Sequence, residues 1–230
     1  MIRALLFDKD GTLTDFRATW EQWLPAQIAA LAEASSTEVG AVSDAVGLDW
    51  STGRIRPDGR FVTATNSETS EALAHVTGWA ADDLLAWWTP RIMSVPQVAV
   101  AGLPELFADL RTRGLPMGVL TNADEAEASD HLARLGLRDV FTRVIGYDSG
   151  YGPKPQPFGA LAFAEHVGVP PAEVVVVGDG MTDLLAAKRA GMRAAAVLTG
   201  TLDAAALAPH AEVVLPTVTA LPKWLDTQAA

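Results

Sequence analysis

The stretch Val174–Asp183 reads VVVVGDGMTD: four consecutive valines, a Gly-Asp-Gly turn, then Met-Thr-Asp. Consecutive β-branched residues with no polar alternation suit a strand buried on both faces, the habit of parallel sheets. Thr182–Ala190 then carries helical spacing and stops at Gly191, a helix-closing residue. The same alternation extends in both directions. Downstream, Ala194–Leu198 and Glu212–Leu215 read as strands. Upstream, Leu103–Arg113 is a helix closed by Gly114, Pro116–Leu120 a strand, and residues from about 124 to 135 a helix closed by Gly136. Val144–Tyr147 and Phe158–Val167 add one more strand and helix. Such alternation predicts an α/β, Rossmann-like parallel sheet with helices on both faces.

One strand stands apart. Ile2–Phe7 is a short apolar run ending in Asp-Lys-Asp-Gly, and the alternation then lapses until Val100. In between, apolar residues recur at helical spacing in Trp20–Leu31, Val39–Val46, Glu68–His75 and Asp82–Trp88, with no convincing strand. Six of the seven tryptophans lie there: Trp20, Trp23, Trp50, Trp79, Trp87 and Trp88. Large aromatics supply much buried area per residue, so they are expected to form a small core of their own. The pattern predicts an inserted α-helical domain of residues 15–96 on an α/β core of residues 1–14 and 97–230.

Composition narrows the function classes. The 230 residues are 49% hydrophobic and 20% charged, the texture of a folded globular protein. A net charge of -11 with a pI near 4.7, and no basic patch, argues against nucleic acid as a partner. Without cysteine there is no disulfide and no thiolate metal site. The opening MIRALLFDKDG has too short an apolar stretch for a signal peptide, and no run approaches the ~20 residues of a membrane helix. A cytoplasmic protein with no membrane partner is the expectation, as a monomer or a homodimer.

Polar residues gather where the predicted strands end, the edge at which open α/β sheets bind ligands. Asp8 and Asp10 sit two apart at one such end, and Gly11 behind them lets the backbone approach an anion closely. Asp179 and Asp183 form a second acidic pair between a strand and a helix. Paired carboxylates repel, and a divalent cation relieves the repulsion; a few oxygen ligands suit Mg²⁺. One carboxylate of such a pair can attack phosphorus while another serves as acid and base. Thr121 and Asn122 end a third strand, offering a hydroxyl and N–H donors to a phosphate. Lys154, one of four lysines, stands between two prolines in Gly-Pro-Lys-Pro, where a cation can offset charge on transferring oxygens.

In order, D-x-D-G-T at Asp8–Thr12, the strand-end Thr121, the isolated Lys154 and G-D-x-x-x-D at Gly178–Asp183 resemble the haloacid dehalogenase superfamily, in its phosphatase branch. The resemblance spans the chain and implies a Rossmann-like core with a helical cap inserted after the first motif. It implies Asp8 as the nucleophile that forms an aspartyl-phosphate, and Asp10 as the acid toward the leaving alkoxide and then the base toward water. Thr121 and Lys154 would hold the phosphoryl oxygens. Asp8, the backbone carbonyl of Asp10, Asp179 and Asp183 would hold Mg²⁺. Dehalogenases proper lack an acid at the position of Asp10, and phosphonoacetaldehyde hydrolases need a cap lysine, whereas residues 15–96 contain none. What remains looks like a phosphoglycolate-phosphatase-like enzyme acting on a small phosphorylated metabolite, with 2-phosphoglycolate the first choice. A phosphosugar mutase of the same superfamily and a non-catalytic phospho-ligand binder are the alternatives.

The cap should select the substrate. Its arginine cluster at Arg54, Arg56 and Arg60 falls in a turn-rich loop, and Arg54 and Arg56 are candidates for gripping a substrate carboxylate. Gly11 and Asn122 complete the expected substrate-binding set. Lys9 stands where relatives usually carry an apolar residue; its head is expected to reach the surface. The four histidines read as structural, and the acidic run Asp124–Glu127 as a solvated helix start suited to the helix dipole.

Overall fold

The computed structural model describes residues 1–228. The chain opens with β1 (Ala4–Phe7), then enters a helical block: α1 (Gln22–Ser35), α2 (Val39–Val46), β2 (Leu48–Asp49), β3 (Arg54–Ile55), α3 (Arg60–Thr63), α4 (Asn66–Thr77) and α5 (Ala81–Met93). The alternating part follows: α6 (Leu103–Thr112), β4 (Met117–Leu120), α7 (Glu125–Arg134), β5 (Arg143–Ile145), α8 (Phe158–Val167), β6 (Val174–Gly178), α9 (Met181–Ala190), β7 (Arg193–Val197), α10 (Ala204–Leu207), β8 (Val213–Leu215) and α11 (Leu221–Gln228).

The main sheet has the order β5-β4-β1-β6-β7-β8, and every pairing in it is parallel. Leu5 of β1 lies beside Met117 on one side and Val175 on the other. Winding runs outward from β1 through β4 to β5, then restarts at β6 on the opposite side. The crevice beyond the ends of β1 and β6 is therefore the topological switch point, the ligand-binding place of such sheets.

Side-chain alternation explains why the strands are apolar throughout. Leu5, Phe7, Val119, Val175 and Val177 face one layer with α6, α7 and α11, where Phe107 and Leu132 are buried. Ala4, Leu6, Leu120, Val174 and Val176 face the other layer, against Phe163 of α8 and Leu184 of α9. Both faces are covered, so neither tolerates a polar position.

The helical block has a third cluster, running from Phe16 to Val95 and including Leu24, Ile28, Leu48, Leu73 and Trp88. Trp20 and Trp88 are inside it and Trp23, Trp79 and Trp87 pack against it, but Trp50 is 43% exposed and takes no part. The block also holds a strand pair where none was expected. β2 and β3 form an antiparallel ribbon with Leu48 opposite Ile55. Two residues per strand are too few to display a period of two in sequence. The chain's two passages between block and sheet run side by side, joined by Asp15 N–H to Val98 O (2.8 Å) and Val100 N–H to Leu13 O (3.0 Å).

Candidate active site

A cavity of about 530 Å³ opens at the switch point, with the sheet edge as its floor and the helical block as its roof. Asp8 continues β1 by one residue, its N–H donating to Val177 O (2.8 Å). Gly11 then turns the chain at φ 88°, a conformation costly for any side chain, and a Cβ there would lie 2.4 Å from Asp179 Oδ2. Asp179, just beyond β6, also fills the space a Cβ on Gly200 would need, 1.8 Å from its Oδ2. The hydroxyl of Thr12 donates to Asp179 Oδ1 (3.2 Å), and that of Thr199 to Gly11 O (2.6 Å). Asp183 lies in the first turn of α9, where its Oδ2 accepts the Gly180 N–H (3.0 Å).

Lys154 comes to this floor from the loop after β5. Its ammonium, 4% exposed, donates to Asp8 Oδ1 (2.5 Å) and Asp183 Oδ1 (2.6 Å). Asn122 fixes the lysine's backbone, accepting its N–H at Oδ1 (2.8 Å) and donating from Nδ2 to its carbonyl (3.1 Å). Thr121 also lines the cavity, its Oγ1 accepting the Ala123 N–H (3.2 Å).

Asp8, Asp179 and Asp183 each offer a carboxylate oxygen, all within 4.8 Å of one another, and all three are buried. One ammonium serves the cluster. Burial pushes the Asp8 carboxyl up to about 7, with Lys154 pulling it back and Asp183 and Asp10 adding to the rise. Burial also holds Asp179 well above the carboxylate range, helped by the charges of Asp8 and Asp183. Burial opposes the charge on Lys154, yet Asp183 and Asp8 raise its pKa overall. An all-oxygen donor set with surplus negative charge fits a hard divalent cation such as Mg²⁺.

Asp10 faces the same cavity from a different set of partners. Its Oδ1 accepts from Lys9 Nζ (2.8 Å) and from Trp20 Nε1 (3.1 Å), and Lys9 also lies 2.7 Å from Oδ2. Lys9 does not reach the surface as its sequence suggested. It is fully buried, because Asp10, His131 and Glu127 surround its head.

Two further expectations change. Arg54 and Arg56 do not enter this cavity. Arg54 pairs with Glu21 (2.8 Å) and Arg56 with Asp44 (3.2 Å), on the outer side of the block. The cause is β3 itself: Ile55 is buried against the block's core, so its neighbours on either side face outward. Glu127 is no solvated helix start either; it is 4% exposed and lines the cavity. Asn66 of α4 donates to its Oε2 (2.9 Å) and to Asp124 Oδ2 (2.5 Å), tying the block to α7. Sequence carried one signal for this. Glu127 and His131 share an i, i+4 stripe of α7 with the buried Ala128 and Leu132.

A parallel sheet of this winding, with paired carboxylates and a buried lysine at its switch point under a helical roof, suits a hydrolase of phosphate esters. Comparison with known proteins agrees. The haloacid dehalogenase-like hydrolase family matches residues 2–191, and the chain belongs to that family. It is an enzyme of the phosphoric monoester hydrolase class, in the phosphoglycolate-phosphatase-like branch. It is 31% identical over 210 residues to a phosphoglycolate phosphatase of Neisseria meningitidis, covering 86% of this chain and 81% of that one. Solved structures share the fold. CbbY from Rhodobacter sphaeroides, in complex with phosphate, superposes with a TM-score of 0.72 at 19% identity, covering 96% of each chain. A phosphatase from Thermococcus onnurineus gives 0.67 at 23% identity, covering 97% of this chain and 98% of that one. Among the described residues no helix is long and apolar enough to cross a membrane.

Proposed function

We propose that the enzyme is a Mg²⁺-dependent phosphatase that hydrolyses a small phosphorylated metabolite through an aspartyl-phosphate on Asp8, with 2-phosphoglycolate as the substrate to test first. The observation that carries the reading is the division of labour between the two aspartates of the first motif. Asp8 is embedded in the acidic floor beside Lys154, whereas Asp10 has separate partners on the roof side of the same cavity.

In the first half-reaction an Asp8 oxygen attacks phosphorus, and the bond from phosphorus to the ester oxygen breaks. Asp10 gives its proton to that departing oxygen. In the second half, water attacks the phosphoryl group, Asp10 takes a proton from it, and the bond to Asp8 breaks to release inorganic phosphate. Lys154 and the Thr121 hydroxyl hold the phosphoryl oxygens. Gly11, expected among the substrate-binding residues, acts only through its turn, because its N–H donates to Thr14 O (2.9 Å). Asp8, the Asp10 carbonyl, Asp179 and Asp183 would hold Mg²⁺, which when bound would neutralise charge on the transferring group. Asn122 acts by holding Lys154 in place. The relatives named as phosphoglycolate phosphatases support the choice of substrate.

The test is phosphate release from a panel of small phosphate esters that includes 2-phosphoglycolate. Turnover with Mg²⁺ should vanish in EDTA, return with added Mg²⁺, and fall by about 10⁴-fold or more in Asp8→Asn. An Asp8→Asn protein as active as the parent would remove the nucleophile assignment. A phosphoenzyme that persists in water and passes its phosphoryl group only to a sugar hydroxyl would mark a mutase instead.

A further inference from the structure

Lys9 lies between the two aspartates of the first motif, yet the chemistry above gives it no part. Burying an ammonium is expensive unless every donor finds a partner, and an apolar side chain would fill the same space without that cost. Its Nζ, with no exposed surface, straddles both oxygens of Asp10 and donates to His131 Nδ1 (3.1 Å). Glu127 Oε1 is 3.8 Å away, and the Trp20 ring centre lies 5.9 Å from it.

These contacts fix the state of His131. An ammonium has donors only, so His131 Nδ1 accepts, and the ring hydrogen resides on Nε2. Nε2 donates to the carbonyl of Ile92 in α5 (3.1 Å). Burial and then the charge of Lys9 lower the His131 pKa to about 4, in keeping with a neutral ring. Asp10 is thus gripped by two lines that both end in the helical block. One is the Trp20 N–H, and the other runs through Lys9 and His131 to Ile92.

We propose that Lys9 is a positioning residue that, together with Trp20, holds the Asp10 carboxyl where it can first give a proton to the leaving oxygen and later take one from water. A carboxyl that serves in both half-reactions must keep one place through both. Trp20 holds Oδ1, while the ammonium spans the two oxygens and limits rotation of the group.

The proposal rests on the phosphatase reading, with Asp10 as proton donor, and the test separates the two. p-Nitrophenolate departs without a proton, whereas an alkoxide requires one. The quantity to measure is the ratio of kcat/KM for p-nitrophenyl phosphate to that for the best alkyl ester of the panel, with Mg²⁺ present. Because kcat/KM covers steps only through departure of the alcohol, hydrolysis of the phosphoenzyme does not enter. The ratio is also independent of how much of a variant is folded. Asp10→Asn should raise it about 100-fold, and Lys9→Met about 10-fold in the same direction. Glu127→Gln alone should leave it unchanged. If Lys9→Met yields no soluble protein, the Lys9→Met, Glu127→Gln double variant, which removes one charge of each sign, should show the same rise. A Lys9 variant that slows both esters equally, beside an Asp10→Asn that raises the ratio, would overturn the proposal. An unchanged ratio in Asp10→Asn would instead sink the assignment of Asp10 as the acid.

Discussion

The floor and the roof of the cavity are built on opposite plans. On the floor each of these charged side chains is held by more than one neighbour: Lys154 by two carboxylates, Asp179 by a threonine and two glycines, Asp183 by a backbone amide and the Lys154 ammonium. The roof is mostly apolar, with Phe16, Trp20, Phe61 and Ile92 lining it and Asp58 as its charged residue. The block's arginines Arg54 and Arg56 are turned outward to Glu21 and Asp44. Fixed charges suit a reaction whose transition state is the same for every phosphate ester. A roof of apolar surface and a few amide and hydroxyl groups suits selection among leaving groups, and it can vary without disturbing the chemistry.

The sharpest way to break this contrast is to remove the cation of the floor. Lys154→Met leaves Asp8 and Asp183 as buried carboxylates without their partner. We expect a stability loss of about 3–5 kcal/mol, and phosphatase activity about 10³-fold lower. In a chain of this size that corresponds to a Tm about 10 °C lower or more, and added Mg²⁺ should recover part of it. Thermal unfolding with and without Mg²⁺ checks the claim. A Tm unmoved in both conditions would mean the floor carries no shared charge. On the roof, Phe61→Ala should raise KM about tenfold, the equivalent of about 1.4 kcal/mol of lost apolar contact, with kcat within about twofold of the parent. Steady-state kinetics on the best ester decides it, and a kcat loss as large as the KM change would place Phe61 with the chemistry instead.

The two regions also differed in how far they could be read from sequence. Asp8, Asp10, Thr121, Lys154, Asp179 and Asp183 were legible because strand ends at a parallel sheet's switch point are forced together by topology. Spacing within each motif did the rest. Lys9 was misread because a long side chain can bury its head or extend it, and only its three-dimensional neighbours decide. His131 and Glu127 share a helical stripe with apolar residues, a pattern that says buried but not what they meet. Their partners, Ile92 and Asn66, belong to the block, distant in sequence. The roof was hardest. Its helices followed from apolar periodicity, but the ribbon of β2 and β3 was too short to register, and that ribbon sets where the arginines point.

The smallest expected effect is therefore the most informative about the roof. Alternation about the buried Ile55 puts Arg54 and Arg56 on the outer face, and both side chains are well exposed, at 63% and 45%. Exposed ion pairs contribute at most about 1 kcal/mol, and a charge that does not line the cavity has no differential contact with ground state or transition state. Arg54→Ala and Arg56→Ala should each leave KM for 2-phosphoglycolate within about twofold of the parent, with stability changed by less than about 0.5 kcal/mol. A substrate carboxylate would then be met by the neutral hydroxyl of Thr69, which lines the cavity, the Asn66 amide being spent on Glu127 and Asp124. A tenfold rise in KM in either variant would show instead that the block closes over the substrate far enough to swing the ribbon inward. That would join the two plans at the moment of catalysis.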